Sequence, residues 1–481
     1  MQTTISKLPR GKTYIKILPA KYLNKNGRTR SMNKVQKCDL IIKNCSILTN
    51  KFAIEEDMSI AIADKKIIAI DNALQISKQY RSETTLEGKG KLLMPGLIDA
   101  HMHTNQQFLR GKITDEYPMI WTRIMVPYES NLNEEDVYKS AQLSCLEMIK
   151  SGTTSFVDAG GSYMHKVAES ALQAGLRATL TCSTMNTGNS IPANMRFSEE
   201  ENIQQNKKLY EDFHQAGDGR INIWFSLRSI ITCTPSLITR VFETAKELNT
   251  GVQAHMNEYT NEISFCLEHY QKRPLEFLES LGVLDQPFLS AHSILLSDNE
   301  IDIVNKYNIK IAHCPISNSG KGFTKTPTLL HKGASIGLGT DGAAHAGLSL
   351  FDQMKVLKSL MRAYWGTPIF DPIVMPSAKI LEMATLGGAK ASLQEQQIGT
   401  LEVGKKADLI AINLNQPHIQ PTHNLVNTLV ESATSNDVID VVIDGKIVMK
   451  NRETLTLDEE RIMFESRIAA AKMAKKAGIS L

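Results

Sequence analysis

The stretch LIDAHMH, residues 97–103, begins as a short apolar run and ends on two histidines one residue apart. On a β-strand residues i and i+2 face the same side, so the rings of His101 and His103 point together at the strand's end. Seven more short apolar runs follow: TSFVDA (154–159), ATLTCS (178–183), INIWFSLRS (221–229), GVQAHMN (251–257), FLSAHS (288–293), IKIAHCP (309–315) and SIGLGTD (335–341). Between them lie amphipathic stretches such as EDVYKSAQLSCLEMIKSG, MHKVAESALQAG and PSLITRVFETAKELNTG, each closed by a glycine read as a helix C-cap. This βα alternation predicts a parallel sheet, and eight strands is the number that closes a barrel. An open doubly wound sheet would alternate in the same way, so the polar strand ends decide. A barrel gathers all its C-terminal strand ends on one face. Here the first, fifth, sixth and eighth runs end in His101 and His103, His255, His292 and Asp341.

Outward from the barrel the texture changes. CDLIIKNCSILTN and MSIAIADKKIIAID near the N-terminus, and ADLIAINL (407–414) and VIDVVIDGKIVMKN (438–451) near the C-terminus, read as short antiparallel strands, with Asp444-Gly445 as a hairpin turn. The expected architecture is α/β: a (β/α)₈ barrel of the TIM type over 94–401, a small β-sandwich built from 38–93 and 402–455, and a C-terminal helix over 456–481. Residues 1–37 carry ten basic and no acidic side chains, whereas the whole chain is only +3. That arm is read as a disordered or non-native extension, and the rest of the chain offers no face for a polyanion, so nucleic acid is not an expected partner.

Hydrophobic residues at 42% and charged residues at 22% suit a globular protein with a large core. No apolar run is long enough to span a membrane and no leader pattern opens the chain, which gives the expectation of a cytoplasmic protein with no membrane partner. The seven cysteines are scattered without a C-x-x-C pair, which favours reduced thiols over disulfides or a thiolate metal site.

His101, His103, His255 and Asp341 offer three nitrogens and one oxygen to a divalent ion, with room left for water, as in catalytic rather than structural sites. Zinc is the first expectation for the metal and ferrous iron the second. His165, His214, His269, His331, His418 and His423 read as surface or loop residues. Two motif matches fail on context. Gly337-x-Gly339-x-x-Gly342 is not followed by a βαβ unit with an acidic strand end, as a dinucleotide site requires. Gly333-x-Ser335-x-Gly337 opens a strand instead of turning from strand into helix. The H-x-E and P-C-x-x-C signature of small zinc deaminases is absent.

LMPGLIDAHMH (93–103), HMNE (255–258), SAHS (290–293), HCPISN (313–318), GTDGAA (339–344) and the run IGTLEVGKKADLI together resemble the amidohydrolase superfamily, in its branch of methylthioadenosine/S-adenosylhomocysteine deaminases, near guanine deaminase and triazine hydrolases. The resemblance covers roughly residues 38 to 450 and implies metal ligation by His101, His103, His255 and Asp341. It also implies that Asp341 takes a proton from water, that Glu258 shuttles a proton to a ring nitrogen and that His292 orients the water. Binuclear relatives carry a bridging lysine or glutamate at the end of strand four. This strand ends in Leu227-Arg228-Ser229, so one metal ion is expected. Glu129 matches the acidic residue that binds ribose hydroxyls, whereas Arg228 stands where adenosine-type deaminases carry histidine and would favour an acceptor-rich ring edge or a carboxylate. The implied activity is hydrolytic deamination of an adenine-type nucleoside, S-adenosylhomocysteine, methylthioadenosine or adenosine, by a homo-oligomer. The alternatives are deamination of a free purine or pterin base, hydrolysis of a triazine, or a binding protein that has lost the chemistry.

Overall fold

Eight short parallel strands form the barrel in a computed structural model that describes residues 35–116, 120–188 and 190–479. They are Leu97–Met102, Thr153–Asp158, Arg177–Leu180, a fourth in two pieces, Val252–Met256, Phe288–His292, Lys310–His313 and Ile336–Leu338. Strand four breaks at Trp224: Ile221–Ile223 pairs with strand three and Phe225–Leu227 with strand five, all in parallel register. The ring closes where the Asp341 amide donates to the His101 carbonyl at 3.0 Å. Strands one to eight therefore stand as the sequence orders them.

The strands are buried on both sides, as parallel strands sheathed by helices must be. The interior layer includes Ala100, Val157, Trp224, Leu289, Ala291 and Ala312. Helices Glu134–Ser151 and Met164–Ala174 end on Gly152 and Gly175, both left-handed, as their sequences predict. The third predicted cap is different. Pro235–Glu247 stops at Leu248, and Gly251 serves the next strand, where an added Cβ would meet the Trp224 indole at 2.7 Å.

Strands from both ends of the chain combine in a second unit. They form one nine-stranded sheet that runs from Glu453–Thr454 through Lys446–Lys450, Val438–Ile443 and Leu409–Asn413 to Lys91–Pro95, Leu40–Leu48, Ile54–Ala63 and Lys66–Asn72, with Thr84–Glu87 on Leu40–Leu48. Leu40–Leu48 changes partner along its length, pairing first with Thr84–Glu87 and then with Lys91–Pro95. A core of Leu40, Ile60, Leu93, Leu409 and Val442 joins the two chain ends. Asp444 and Gly445 both have positive φ, 52° and 74°, the turn that the Asp-Gly pair favours. Of the basic extension, residues 1–34 lie outside the described residues, and Gln36–Lys37 already pairs with Tyr80–Arg81. Helix Glu459–Lys476 is tied to the barrel by Lys150 and Glu459, 2.9 Å apart. No helix among the described residues is long and apolar enough to cross a membrane, and all seven cysteines are free.

Candidate metal and catalytic centre

The strand ends meet as the sequence predicts. The donor atoms of His101, His103, His255 and Asp341 all lie within 4.8 Å of one another, and all four residues are buried. Asp341 Oδ1 is 3.4 Å from His101 Nε2 and 3.5 Å from His103 Nε2, and His103 Nε2 is 3.1 Å from His255 Nε2. Both ring nitrogens of His101 and Nδ1 of His103 have no hydrogen-bond partner among the described residues, although buried polar atoms ordinarily find one. A divalent ion bound by these nitrogens would satisfy part of that deficit. Burial drives the imidazoles of His103 and His255 well below the ordinary histidine value, which leaves them neutral, the form that binds metal. His255 Nδ1 lies 2.8 Å from the Arg228 carbonyl, so Nδ1 carries the proton and Nε2 faces the cluster.

Backbone strain marks the same place. His292 and Asp341 hold φ of 69° and 62°, the left-handed region that non-glycine residues seldom adopt. At both positions the chain leaves its strand and aims a functional side chain inward.

The protonation of His292 can be read from its neighbours. Thr324 Oγ1 donates to the His292 carbonyl at 2.9 Å and so accepts from Asn318 Nδ2 at 3.0 Å. That fixes the amide, and Asn318 Oδ1 accepts from His292 Nδ1 at 2.9 Å. Nε2 is left bare, with no hydrogen-bond partner among the described residues, 3.7 Å from Glu258 Oε1. Burial lowers the His292 value to about 4, which keeps Nε2 a proton acceptor at neutral pH. Burial opposes the ionisation of Glu258, but His292 and Lys321 outweigh it and hold its carboxyl at about 2. Burial likewise opposes the ionisation of Asp341, and the His345 imidazole, 3.0 Å from Oδ2, helps to hold it well below the usual carboxylate range.

Glu129 and Arg228 also meet, in a way the sequence does not reveal. They form a buried two-pronged ion pair, NH1 to Oε2 at 3.1 Å and NH2 to Oε1 at 3.2 Å, and Gln106 Nε2 donates to Oε1 at 2.6 Å. Trp121 lies against the guanidinium, 5.8 Å from ring centre to Cζ. A cavity of about 90 Å³ opens onto the cluster, lined by His103, Trp121, Arg228, Glu258 and His345 among others. Glu129 lines a neighbouring cavity of about 720 Å³, together with Met185, Met195 and Phe197.

Three side chains of the centre escape sequence reasoning. His345 lies four residues past Asp341, in a loop without periodicity. Ser317 Oγ donates to Asp341 Oδ2 in a short contact, and Lys321 Nζ stands 2.6 Å from Glu258 Oε1 and 3.8 Å from Asp341 Oδ2. HCPISN draws attention as a string, but only the fold shows what its side chains touch. Glu258, His292 and Asp341 form a second cluster with donor atoms within 4.8 Å, and Lys321 already brings a cation to it.

Three imidazoles and a carboxylate that could hold a metal ion at the C-terminal mouth of a (β/α)₈ barrel, joined by a second carboxylate and a neutral imidazole, are equipment for hydrolysis. The amidohydrolase family pattern matches residues 92–448, and the chain belongs to that family of metal-dependent hydrolases, enzymes of carbon–nitrogen bonds. It is 34% identical to a 5-methylthioadenosine/S-adenosylhomocysteine deaminase of Thermoanaerobacter pseudethanolicus, over 91% of this chain and 100% of that one. A 5'-deoxyadenosine deaminase of Methanosarcina acetivorans is also 34% identical, over 91% and 99% of the two chains. Among solved structures, an adenosine deaminase from Xanthomonas campestris with bound zinc superposes with a TM-score of 0.86 at 26% identity, covering 92% of this chain and 100% of that one.

Proposed function

We propose that this protein removes the amino group of an adenine-type nucleoside by hydrolysis, with S-adenosylhomocysteine, methylthioadenosine and adenosine as the first substrates to test. The observation that carries this reading is Glu258 and His292 side by side, one ionised and one neutral, at the edge of the metal-binding cluster. His101, His103, His255 and Asp341 would hold one divalent ion, with zinc the first expectation, and the ion supplies Lewis acidity that makes water nucleophilic at neutral pH.

The chain's own groups handle the protons. His292 Nε2 accepts a hydrogen bond from the attacking water and orients it. Asp341 takes up a proton as water attacks the amino-bearing carbon. The ionised Glu258 takes the other proton of the water and gives it to the ring nitrogen, where negative charge builds, and then receives the proton held by Asp341 and passes it to the departing ammonia. The small cavity suits the ring. A 5'-substituent would pass Glu129 into the larger cavity, whose Met185, Met195 and Phe197 suit a thioether.

A second reading, a free oxo-bearing purine or pterin base or a triazine, is favoured by one observation. Both Glu129 oxygens are already engaged, so a ribose diol must compete with Arg228 and Gln106, whereas Arg228 keeps N–H groups to offer a ring oxygen. A steady-state survey by ammonia release, with metal content measured on the same preparation, separates the two. Turnover of a free base with every nucleoside inert would overturn the first reading.

A further inference from the structure

The segment after the seventh strand supplies none of the four metal-binding side chains, yet it reaches every proton-handling group beside them. Ser317 donates to Asp341, Asn318 accepts from His292, and Lys321 donates to Glu258. Lys321 is the unexpected member. Its side chain is only 2% exposed, and burying an ammonium costs several kcal/mol unless it is paired. Its Nζ donates to Glu258 Oε1 at 2.6 Å and to Ser317 Oγ at 2.9 Å, and faces the Tyr259 ring at 5.2 Å. Ser317 in turn donates to Asp341, so Lys321 and Ser317 link the two carboxylates. Packing alone could be met by methionine, at no cost in desolvation.

The pairing divides the Glu258 carboxylate. Oε1 takes the ammonium, whereas Oε2 accepts no hydrogen bond from the described residues. A carboxylate that moves a proton between two sites needs one oxygen anchored and one free, held in a fixed orientation. We infer that Lys321 is the positioning residue for Glu258: it pins Oε1 and so presents Oε2 to the reacting atoms. This inference rests on the shuttle role proposed for Glu258. Oε2 takes the proton and gives it up, and Lys321 keeps its own protons throughout.

The test compares wild type, Lys321→Met and Lys321→Arg for kcat, KM and metal content, on whichever substrate the ammonia survey identifies. Lys321→Met is expected to retain its metal and to change KM less than about threefold while kcat falls about 100-fold, within the range of proton-transfer catalysis. Lys321→Arg, which restores a cation, should recover at least about tenfold of that loss. If Lys321→Met does not fold, Lys321→Ala with added n-butylammonium replaces it, and dose-dependent recovery of kcat is the expected result. An unchanged kcat overturns the inference, as does a joint loss of metal, KM and kcat that neither arginine nor the amine repairs. Activity retained by Glu258→Gln would instead overturn the shuttle role itself, and that variant is measured alongside.

Discussion

At the scale of single residues, two carboxylates four positions apart are driven in opposite directions. Glu258 sits beside Lys321 and His292 and stays ionised, whereas Glu262, in the same cavity wall, is pushed up to about 8 by burial. Glu258→Gln should keep the fold and the metal, because the amide is isosteric and lies outside the ligand set, while kcat falls by about 10²- to 10⁴-fold. Elemental analysis and steady-state kinetics on one preparation check both halves. Glu262 makes the stability of the fold depend on pH. The folded protein holds a proton that the unfolded chain, with an ordinary value of 4.5, releases earlier, so this group's contribution is full below 4.5 and declines as pH rises to about 8. Glu262→Gln fixes the neutral form and keeps an oxygen for the Glu258 amide, now accepted at 3.0 Å. The two proteins should therefore differ by no more than about 1 kcal/mol at pH 5, and the variant should be more stable by about 4 kcal/mol at pH 8.5, read from urea midpoints. A constant difference across that range would show that Glu262 is ionised in the fold.

At the scale of elements, the strand ends were legible and the loops between them were not. Each barrel strand is a short apolar run, and a histidine or aspartate at its tip stands out against that background, which is why His101, His103, His255, His292 and Asp341 could be placed from the sequence. His345, Ser317 and Lys321 lie in connections where no periodicity fixes direction, so nothing local distinguishes them from solvated loop residues. Glu129 and Arg228 were legible singly, but their pairing across 99 residues was not. Glycine near the end of strand eight shows how tightly the elements constrain the centre. A Cβ on Gly339 would lie 2.8 Å from the His101 carbonyl oxygen, 2.9 Å from Cys314 Sγ and 3.0 Å from the His101 amide. Gly339→Ala must therefore push strand eight away from strand one and separate Asp341 from His101. We expect a loss of about 1 to 3 kcal/mol in stability and at least about tenfold weaker metal retention on dialysis against chelator. Full retention of metal together with a lowered melting temperature would show that the strain relaxes away from the ligands.

At the scale of the whole molecule, the union of the two chain ends was legible because alternating strands and an Asp-Gly turn flank a βα middle, whereas the order of strands in the sheet was not, since it depends on pairings hundreds of residues apart. What joins that sheet to the barrel is polar. Arg177, at the start of the third barrel strand, is 1% exposed, and its Nε and NH2 donate to the two oxygens of Asp408 at 2.9 and 3.2 Å. NH2 also reaches Asp444 Oδ1 at 3.2 Å, in the hairpin turn, and the Asp444 amide donates to Asp408 Oδ1 at 2.8 Å. One guanidinium thus compensates two buried carboxylates from the C-terminal strands, aided at Asp444 by Lys406 at 3.3 Å. Removing the cation strands both charges, which costs more than the pair contributes relative to an apolar replacement. Arg177→Met should lower the unfolding free energy by about 3 to 5 kcal/mol, and Arg177→Met combined with Asp408→Asn and Asp444→Asn should regain much of that. Urea denaturation followed both by tryptophan fluorescence, which reports on Trp121, Trp224 and Trp365, all in the barrel segment, and by far-ultraviolet dichroism tests whether the two units unfold together. If the junction couples them, the curves coincide in wild type and separate in Arg177→Met. Curves already separate in wild type would mean that the barrel holds His101, His103, His255 and Asp341 together without the sheet.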